Sequence, residues 1–210
     1  MKLLLATFGF SLGGGAAAAL FGHAPAPTHA APIPQHVAAP AGRVAISPAD
    51  LRRAYAAGMV DRPIQTILDV RGPMYFGDFR WDDRGVAPGP AWVRVDLRSQ
   101  LISVFRSGQE IGTAVILYGA DGLPTPTGKF PILAKLRDHR SVTYDGAPMP
   151  YTLPLTADGV SIHGSNVRWG FATHGCIGVP TAFAAKLFDA VKTGDEVLIV
   201  SGDGAPRRPA

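Results

Sequence analysis

From Trp92 to Val200 the chain consists largely of short runs typical of strands, the first of which alternates apolar and polar residues, and this pattern restricts the fold more than any other feature of the chain. Alternation with a period of two is typical of strands that bury one face. The runs are AWVRVDL (91–97), LISVFR (101–106), EIGTAVILYG (110–119), GKFPILAKLR (128–137), GVSIHGS (159–165) and EVLIV (196–200). The turn Ser107-Gly108-Gln109 lies between the second and third runs and predicts a β-hairpin. The sequence therefore predicts a mainly β domain of the α+β class.

Helices are expected at two places. The run TAFAAKLFDAVK (181–192) brings three apolar residues onto one stripe, which are Phe183, Leu187 and Val191. Near the start of the domain, Ser47 followed by Pro48 has the pattern of an N-cap and a first helical residue. Between these helices, residues 72–90 are rich in glycine, aspartate and aromatic residues, which predicts a long loop.

The first thirty residues have the pattern of a secretory signal peptide. Met1-Lys2 is a short positive region, residues 3–20 are apolar, and Thr28-His29-Ala30 offers small residues for cleavage. An uncleaved N-terminal anchor is the alternative, because the apolar run is nearly long enough to cross a bilayer. We therefore expect the protein to be exported to the periplasm or cell envelope, with no integral membrane span once the signal is removed.

Composition divides the rest of the chain. A Pro/Ala-rich stretch without a core-forming pattern predicts a flexible linker. The predicted organisation is a signal peptide (1–30), a linker (31–46), an N-terminal accessory segment (47–90), a catalytic domain (91–201) and a flexible tail (202–210). The net charge of +4 comes from scattered Arg and Lys residues, so no nucleic acid partner is expected.

The single cysteine of the chain, Cys176, lies in the segment THGCIGVP (173–180). In an oxidising compartment a lone cysteine cannot form a disulfide within the chain, which favours a reactive thiol over a structural one. A thiol attacks as thiolate and needs a base, and His163 and His174 are the candidates. Two alternatives stay open at this point: a buried cysteine with two structural histidines, and a zinc hydrolase in which these three side chains are ligands.

The order of the motifs resembles the L,D-transpeptidase catalytic domain, also called the YkuD domain. The similar pieces are the predicted hairpin (93–116), PTPTGKF (124–130), GVSIHGS (159–165), THGCIGVP (173–180), and a helix followed by GDEVLIV (194–200). The resemblance covers about half of the chain. It implies an irregular β-sandwich with one or two short helices and a thiol at the end of a cleft.

The resemblance also implies a reaction, namely acyl transfer on peptidoglycan stem peptides without any cofactor or metal. The thiol attacks the donor tetrapeptide before its terminal D-alanine, forms a thioester and releases D-alanine. An amine of a neighbouring stem then accepts the acyl group to give a 3-3 cross-link. An envelope protein is a variant acceptor.

Site residues follow from the matching positions. The resemblance makes Cys176 the nucleophile and His163 the base, with the Gly164 carbonyl orienting the imidazole. His174 and Gly175, with the Cys176 amide, are expected to form the oxyanion hole. Thr173 is expected to fix the loop on the substrate-binding side.

Two departures from the family pattern bear on substrate choice. The interval between His163 and Thr173 is shorter than usual, and Gly178 stands where the family has Arg or Asn. We expect Arg168 to replace the missing group and Trp169 to supply an apolar wall, so both are predicted to bind substrate. The alternatives are an L,D-carboxypeptidase or cross-link hydrolase that uses water as acceptor, and an inactive wall-binding module of the same fold.

Overall fold

The computed structural model describes residues 42–120, 122–142 and 145–201, which form twelve strands and two helices within those ranges. The strands are β1 (Arg43–Ala45), β2 (Thr66–Leu68), β3 (Phe79–Trp81), β4 (Ala91–Asp96), β5 (Leu101–Arg106), β6 (Gln109–Val115), β7 (Gly128–Pro131), β8 (Leu136–Arg140), β9 (Pro148–Pro154), β10 (Ser161–Ser165), β11 (Ile177–Pro180) and β12 (Glu196–Val200). The helices are α1 (Pro48–Ala56) and α2 (Thr181–Ala190).

Eight strands form the larger sheet, in the order β1-β2-β6-β5-β4-β12-β7, with β3 also paired to β6. The predicted hairpin is confirmed, because β5 and β6 pair in antiparallel fashion around Ser107-Gly108. The last strand, β12, returns parallel to β4 after the chain has passed through the second sheet and α2.

The second sheet has the order β11-β10-β9-β8. Its strands β10 and β11 are parallel, and the pairs β10–β9 and β9–β8 are antiparallel. Two isolated bridges, Leu117 with Gly178 and Gly119 with Thr173, join the end of the β6 region to the segment around β11. Neither sheet closes on itself. The mainly β fold with two short helices agrees with the predicted class.

One apolar core lies between the sheets and α2. The larger sheet contributes Val93, Val95, Ile102 and Val104, the second sheet Leu153, Ile162, Ile177 and Val179, and the helix Phe183 and Leu187. The predicted stripe on α2 is confirmed, because Phe183, Leu187 and Val191 are all buried. This core holds β10 and β11 rigidly, and these are the strands next to the cysteine.

The outer face of β4 and β5 is covered by the N-terminal segment. Ser47 caps α1 as predicted, since its hydroxyl oxygen accepts a hydrogen bond of 3.1 Å from the Asp50 amide. Leu51 on this helix packs in a second apolar cluster with Trp92 and Phe105, whose rings stack with centroids 4.4 Å apart. Helix α1 therefore covers the sheet on the side opposite the main core.

Two expectations for the N-terminal half need correction. The segment 72–90 is not all loop, because β3 lies within it and pairs with β6. Trp81 holds this strand in place through an edge-on contact with Phe183, with ring centroids 5.6 Å apart. Likewise β1 occupies the last residues of the expected linker, where it pairs with β2.

The strand expected at 128–137 is two strands that belong to different sheets. Backbone hydrogen bonds of Ile132 with Gly194 and Asp195 follow directly after β7, and the chain then crosses to the second sheet before β8 begins. Strands β9 and β11 were not predicted. β9 contains three prolines, and β11 has four residues that are all buried and show no alternation.

Several predicted segments lie outside the described residues: the signal peptide (1–30), most of the linker (31–46) and the tail (202–210). Among the residues that the structure describes, no helix is long and apolar enough to cross a membrane.

Candidate active site

A cavity of about 600 Å³ lies beside the cysteine. The antiparallel hairpin of β8 and β9 forms one wall, and the loops before β7, before β10 and before β11 form the rest. Cys176, Gly175 and His174 line it from the last of these loops, and His139, Val142 and Met149 line it from the hairpin. The cysteine thus faces a space large enough for a peptide segment.

The local surroundings of Cys176 favour the protonated thiol. The side chain is partly buried, and its sulfur donates a hydrogen bond to the Gly159 carbonyl oxygen at 3.6 Å. Burial raises the pKa of the Cys176 thiol, and a hydrogen bond from the main chain of Ser161 opposes this rise. The Gly159 carbonyl and the main chain of Ser161 therefore hold the sulfur at the edge of β10.

The register of β10 and β11 brings His163 close to the cysteine. His163 pairs with Gly178 in this parallel ladder, so extending the register by two residues sets Ser161 opposite Cys176. Strands lie about 4.8 Å apart and rise about 3.3 Å per residue, which separates the Cα atoms of His163 and Cys176 by about 8 Å. Residues two apart share a face of a sheet, so the imidazole and the thiol can meet on one face.

The orientation of His163 leaves one ring nitrogen free to act as a base. Its Nδ1 lies 3.0 Å from the Gly164 carbonyl oxygen, and because a carbonyl only accepts, Nδ1 carries the proton. Burial lowers the pKa of His163 below its usual range, with a smaller lowering from His139. The neutral ring therefore presents an unprotonated Nε2 at neutral pH.

Hydrogen bonds from two threonines fix the loop that carries the cysteine. The Thr173 hydroxyl donates to the Cys176 carbonyl oxygen. The buried Thr125 hydroxyl donates to the Gly175 carbonyl at 2.9 Å and accepts from the Gly119 amide at 2.9 Å. Gly175 has a φ of +102°, a backbone conformation that residues with a side chain rarely adopt. The turn before the sulfur is therefore set by backbone shape and by Thr125, a residue that was not singled out within PTPTGKF.

Gly178 is packed between two chain segments. A Cβ atom there would lie 3.1 Å from the Ser165 Cβ and 3.4 Å from the Leu117 Cβ. Gly178 also exchanges backbone hydrogen bonds with Leu117, at 2.8 and 2.9 Å. Close packing thus accounts for glycine at this position.

Of the predicted substrate-binding residues, Thr173 is next to His174 in the site loop, whereas Arg168 and Trp169 do not line the cavity with Cys176. Arg168 is exposed, and the Trp169 ring packs edge-on against Phe76. Sequence reasoning also missed the hairpin residues that face the cysteine, among them His139. No signal short of the β8–β9 pairing could have placed them there.

Metal ligation gains no support from this geometry. Within residues 42–120, 122–142 and 145–201, no three His, Cys, Asp or Glu side chains converge as ion ligands. His163, His174 and Cys176 therefore do not form the zinc site considered as an alternative.

Comparison with protein families identifies the family of the domain. Residues 90–199 match the family described as the L,D-transpeptidase catalytic domain, YkuD, and this match spans more than half of the chain. The chain belongs to this family, as the order of its motifs predicted.

Similarity to individual L,D-transpeptidases supports the same family. L,D-transpeptidase 1 of Mycobacterium tuberculosis is 30% identical over 135 residues, which cover 55% of this chain and 53% of that protein. The crystal structure of an L,D-transpeptidase from Stackebrandtia nassauensis superposes with a TM-score of 0.50 at 25% identity and covers 57% of this chain and 60% of that one. The chain spans about half the length of the curated relative that it matches.

Proposed function

We propose that the protein is an exported, cysteine-dependent L,D-transpeptidase that cross-links peptidoglycan stem peptides in the periplasm or cell envelope. One observation carries the proposal. The only cysteine faces a cavity of about 600 Å³ and lies beside a strand whose histidine is held with Nε2 unprotonated. Thiol, base and cavity are the parts that acyl transfer through a thioester needs.

In acylation, the Cys176 thiol gives its proton to Nε2 of His163 as its sulfur attacks the donor stem. The sulfur attacks the carbonyl carbon between the third residue of the donor stem and its terminal D-alanine. The carbon–nitrogen bond then breaks, and the imidazolium returns its proton to the leaving amine. D-alanine departs and a thioester remains on Cys176.

Deacylation repeats these steps with an amine of a second stem peptide. The amine attacks the thioester carbonyl and gives a proton to His163, which passes it to the departing sulfur. The products are a 3-3 cross-link and the free thiol. An amine of an envelope protein is the variant acceptor in the same step.

The two pKa shifts indicate when the proton moves. Burial raises the pKa of the thiol and lowers that of the imidazole, so the free protein holds a neutral pair rather than a thiolate–imidazolium pair. Proton transfer then accompanies the attack, and His163 serves as a general base.

Negative charge on the carbonyl oxygen needs donors next to the sulfur. The main-chain N–H groups of Gly175 and Cys176 and the side chain of His174 come from the loop fixed by Thr125 and Thr173. We assign them the oxyanion-stabilising role, because fixed donors at such a position stabilise the tetrahedral intermediate.

The test is incubation of purified protein with a disaccharide-tetrapeptide, followed by mass analysis. Loss of D-alanine with formation of a dimer supports the proposal, and Cys176→Ala is the control for contaminating activity. Loss of D-alanine with a tripeptide alone would show that water is the acceptor. A folded wild type that releases no D-alanine would overturn the proposal in favour of an inactive wall-binding module.

A further inference from the structure

Three strongly exposed aromatic side chains lie on two neighbouring loops near the cysteine segment. Tyr75 is 68% exposed, Trp169 82% and Phe171 63%. The loops contact each other, since the rings of Phe76 and Trp169 meet edge-on with centroids 5.6 Å apart. Exposed aromatic rings grouped on neighbouring loops are a feature of interaction sites.

A glutamine provides the polar part of the same surface. Gln100 lines a cavity of about 590 Å³ together with Tyr75 and Phe76. It also lines a second cavity, of about 280 Å³, together with Phe171 and Tyr118. Gln100 therefore lies between the two aromatic loops.

The backbone of Gln100 is held in an unfavourable conformation. Its φ is +56°, in the left-handed region that favours glycine or asparagine. A residue with a long side chain costs of order 1 kcal/mol at such a position. Glutamine thus occupies a position whose backbone conformation favours glycine.

We propose that Tyr75, Gln100, Trp169 and Phe171 form a subsite for the amino-sugar part of the peptidoglycan strand that carries the donor stem. This inference rests on the proposed function. Pyranose rings offer C–H faces to aromatic rings, and their hydroxyl and acetamido groups exchange hydrogen bonds with a side-chain amide. The combination of exposed rings and one planar amide fits such a ligand.

The distance to the cysteine fits the length of a stem peptide. Phe171 is five residues before Cys176, so their Cα atoms are at most about 18 Å apart. Three extended residues span about 10 Å, and the link to the sugar adds a few more. A sugar on the aromatic surface can therefore bring the third residue of its own stem to the sulfur.

The chain connects the aromatic loop directly to the cysteine loop, which supports binding of a sugar on the aromatic surface with its stem peptide directed to Cys176. The loop with Trp169 and Phe171 runs into Thr173, whose amide donates to the Tyr118 carbonyl at 3.0 Å. Tyr118 lines the smaller of the two cavities. The aromatic surface and the cysteine loop are thus anchored at one point.

Binding of a peptide-free disaccharide of N-acetylglucosamine and N-acetylmuramic acid to the Cys176→Ala protein tests the subsite without any reaction. Titration calorimetry should show binding of the disaccharide. Adding Trp169→Ala should lower the affinity about tenfold, which is the expected effect of losing one aromatic contact. Gln100→Gly should weaken it to a similar degree while leaving the melting temperature equal or higher, because glycine accepts the positive φ. Tyr55→Ala is the matched control, since it removes a surface ring from α1.

Turnover separates failure of this inference from failure of the proposed function. For wild type, kcat/KM should be about tenfold higher with disaccharide-tetrapeptide than with free tetrapeptide, and Trp169→Ala should bring the ratio near one. Equal rates for the two substrates, or equal sugar binding by wild type and variants, overturn the subsite alone. If neither substrate is turned over, the proposed function is overturned, and sugar binding still tests the subsite. A wild-type dimer that Trp169→Ala converts to a monomer would make the surface an interface between copies and would overturn the inference.

Discussion

The thiol of Cys176 donates a hydrogen bond to the carbonyl oxygen of Gly159, 3.6 Å away at the start of the segment that leads into β10. A carbonyl stabilises the thiol and not the thiolate, and burial acts in the same direction on the pKa. The resting protein therefore keeps its nucleophile protonated until a base removes the proton.

Alkylation of the thiol should reflect this state. We expect the rate of reaction with iodoacetamide to rise with pH through an inflection above about 8.5, the ordinary value for cysteine, because only the thiolate reacts. The single cysteine makes the measurement specific. An inflection below pH 7 would instead indicate a preformed thiolate–imidazolium pair.

The two histidines should differ in their effect on acylation. His163→Ala is expected to lower the rate of thioester formation by about two to four orders of magnitude, the usual contribution of a positioned base. His174→Ala should cost less if it stabilises the oxyanion. Since burial lowers the pKa of His163, the acidic limb of kcat/KM should lie below pH 6.5 in wild type. A larger loss in His174→Ala than in His163→Ala would identify His174 as the base.

The sequence predicted the parts of the fold that have a local signal. Alternation located β4, the turn Ser107-Gly108-Gln109 located the hairpin of β5 and β6, a short apolar run located β12, and one apolar stripe located α2. Strands β3 and β11 were missed because they have three and four residues and are held by distant contacts rather than by their own pattern.

The site was predictable only in the segment around the cysteine. Sequence proximity and the family motif bring His163 and Cys176 into one hypothesis. His139, by contrast, reaches the cavity because β8 pairs with β9 and β9 with β10, a pairing that sequence distance conceals. Thr125 is likewise fifty residues from the Gly175 carbonyl that it contacts.

Thr125→Val should impair the site more than the fold. The substitution keeps the shape but leaves the Gly119 amide without its 2.9 Å acceptor and the Gly175 carbonyl without its donor. We expect a loss of about 1–3 kcal/mol in stability and a fall in kcat with little change in KM. Thr66→Val is the control, because Thr66 is equally buried and its hydroxyl makes only a 3.5 Å contact with Gln109. Equal kinetic effects of the two variants would show that Thr125 does not position the loop.

Arg168 stays a proposed substrate-binding residue although it lies outside the cavity. If its guanidinium holds a carboxylate of the stem peptide, Arg168→Ala should weaken kcat/KM by about 1.5–3 kcal/mol, the range for a hydrogen bond to a charged group. Arg168→Lys should recover part of this loss by restoring the charge without the bidentate geometry. An alanine variant with wild-type kcat/KM would remove Arg168 from the site.

Gly178 should tolerate a side chain poorly, although the family resemblance led us to expect Arg or Asn at this position. Its Cβ would come within 3.1 Å of Ser165 and 3.4 Å of Leu117, and the same residue pairs with His163 across β10 and β11. Relief of this crowding must move β10 or the Leu117 segment, and a shift of β10 carries the imidazole with it. We expect Gly178→Ala to lower the acylation rate about tenfold or more, because a displacement of about 1 Å can cost a hundredfold, and Gly178→Arg to lower it further and to reduce the melting temperature. Gly89→Ala serves as control, since Gly89 lacks a positive φ and a Cβ there would meet only the hydroxyl oxygen of the Ser107 side chain, at 3.3 Å. Measured acylation rates and melting temperatures decide the matter: a Gly178→Arg protein that is as stable as wild type and acylates faster would show that β11 can adjust and that the missing side chain limits the reaction.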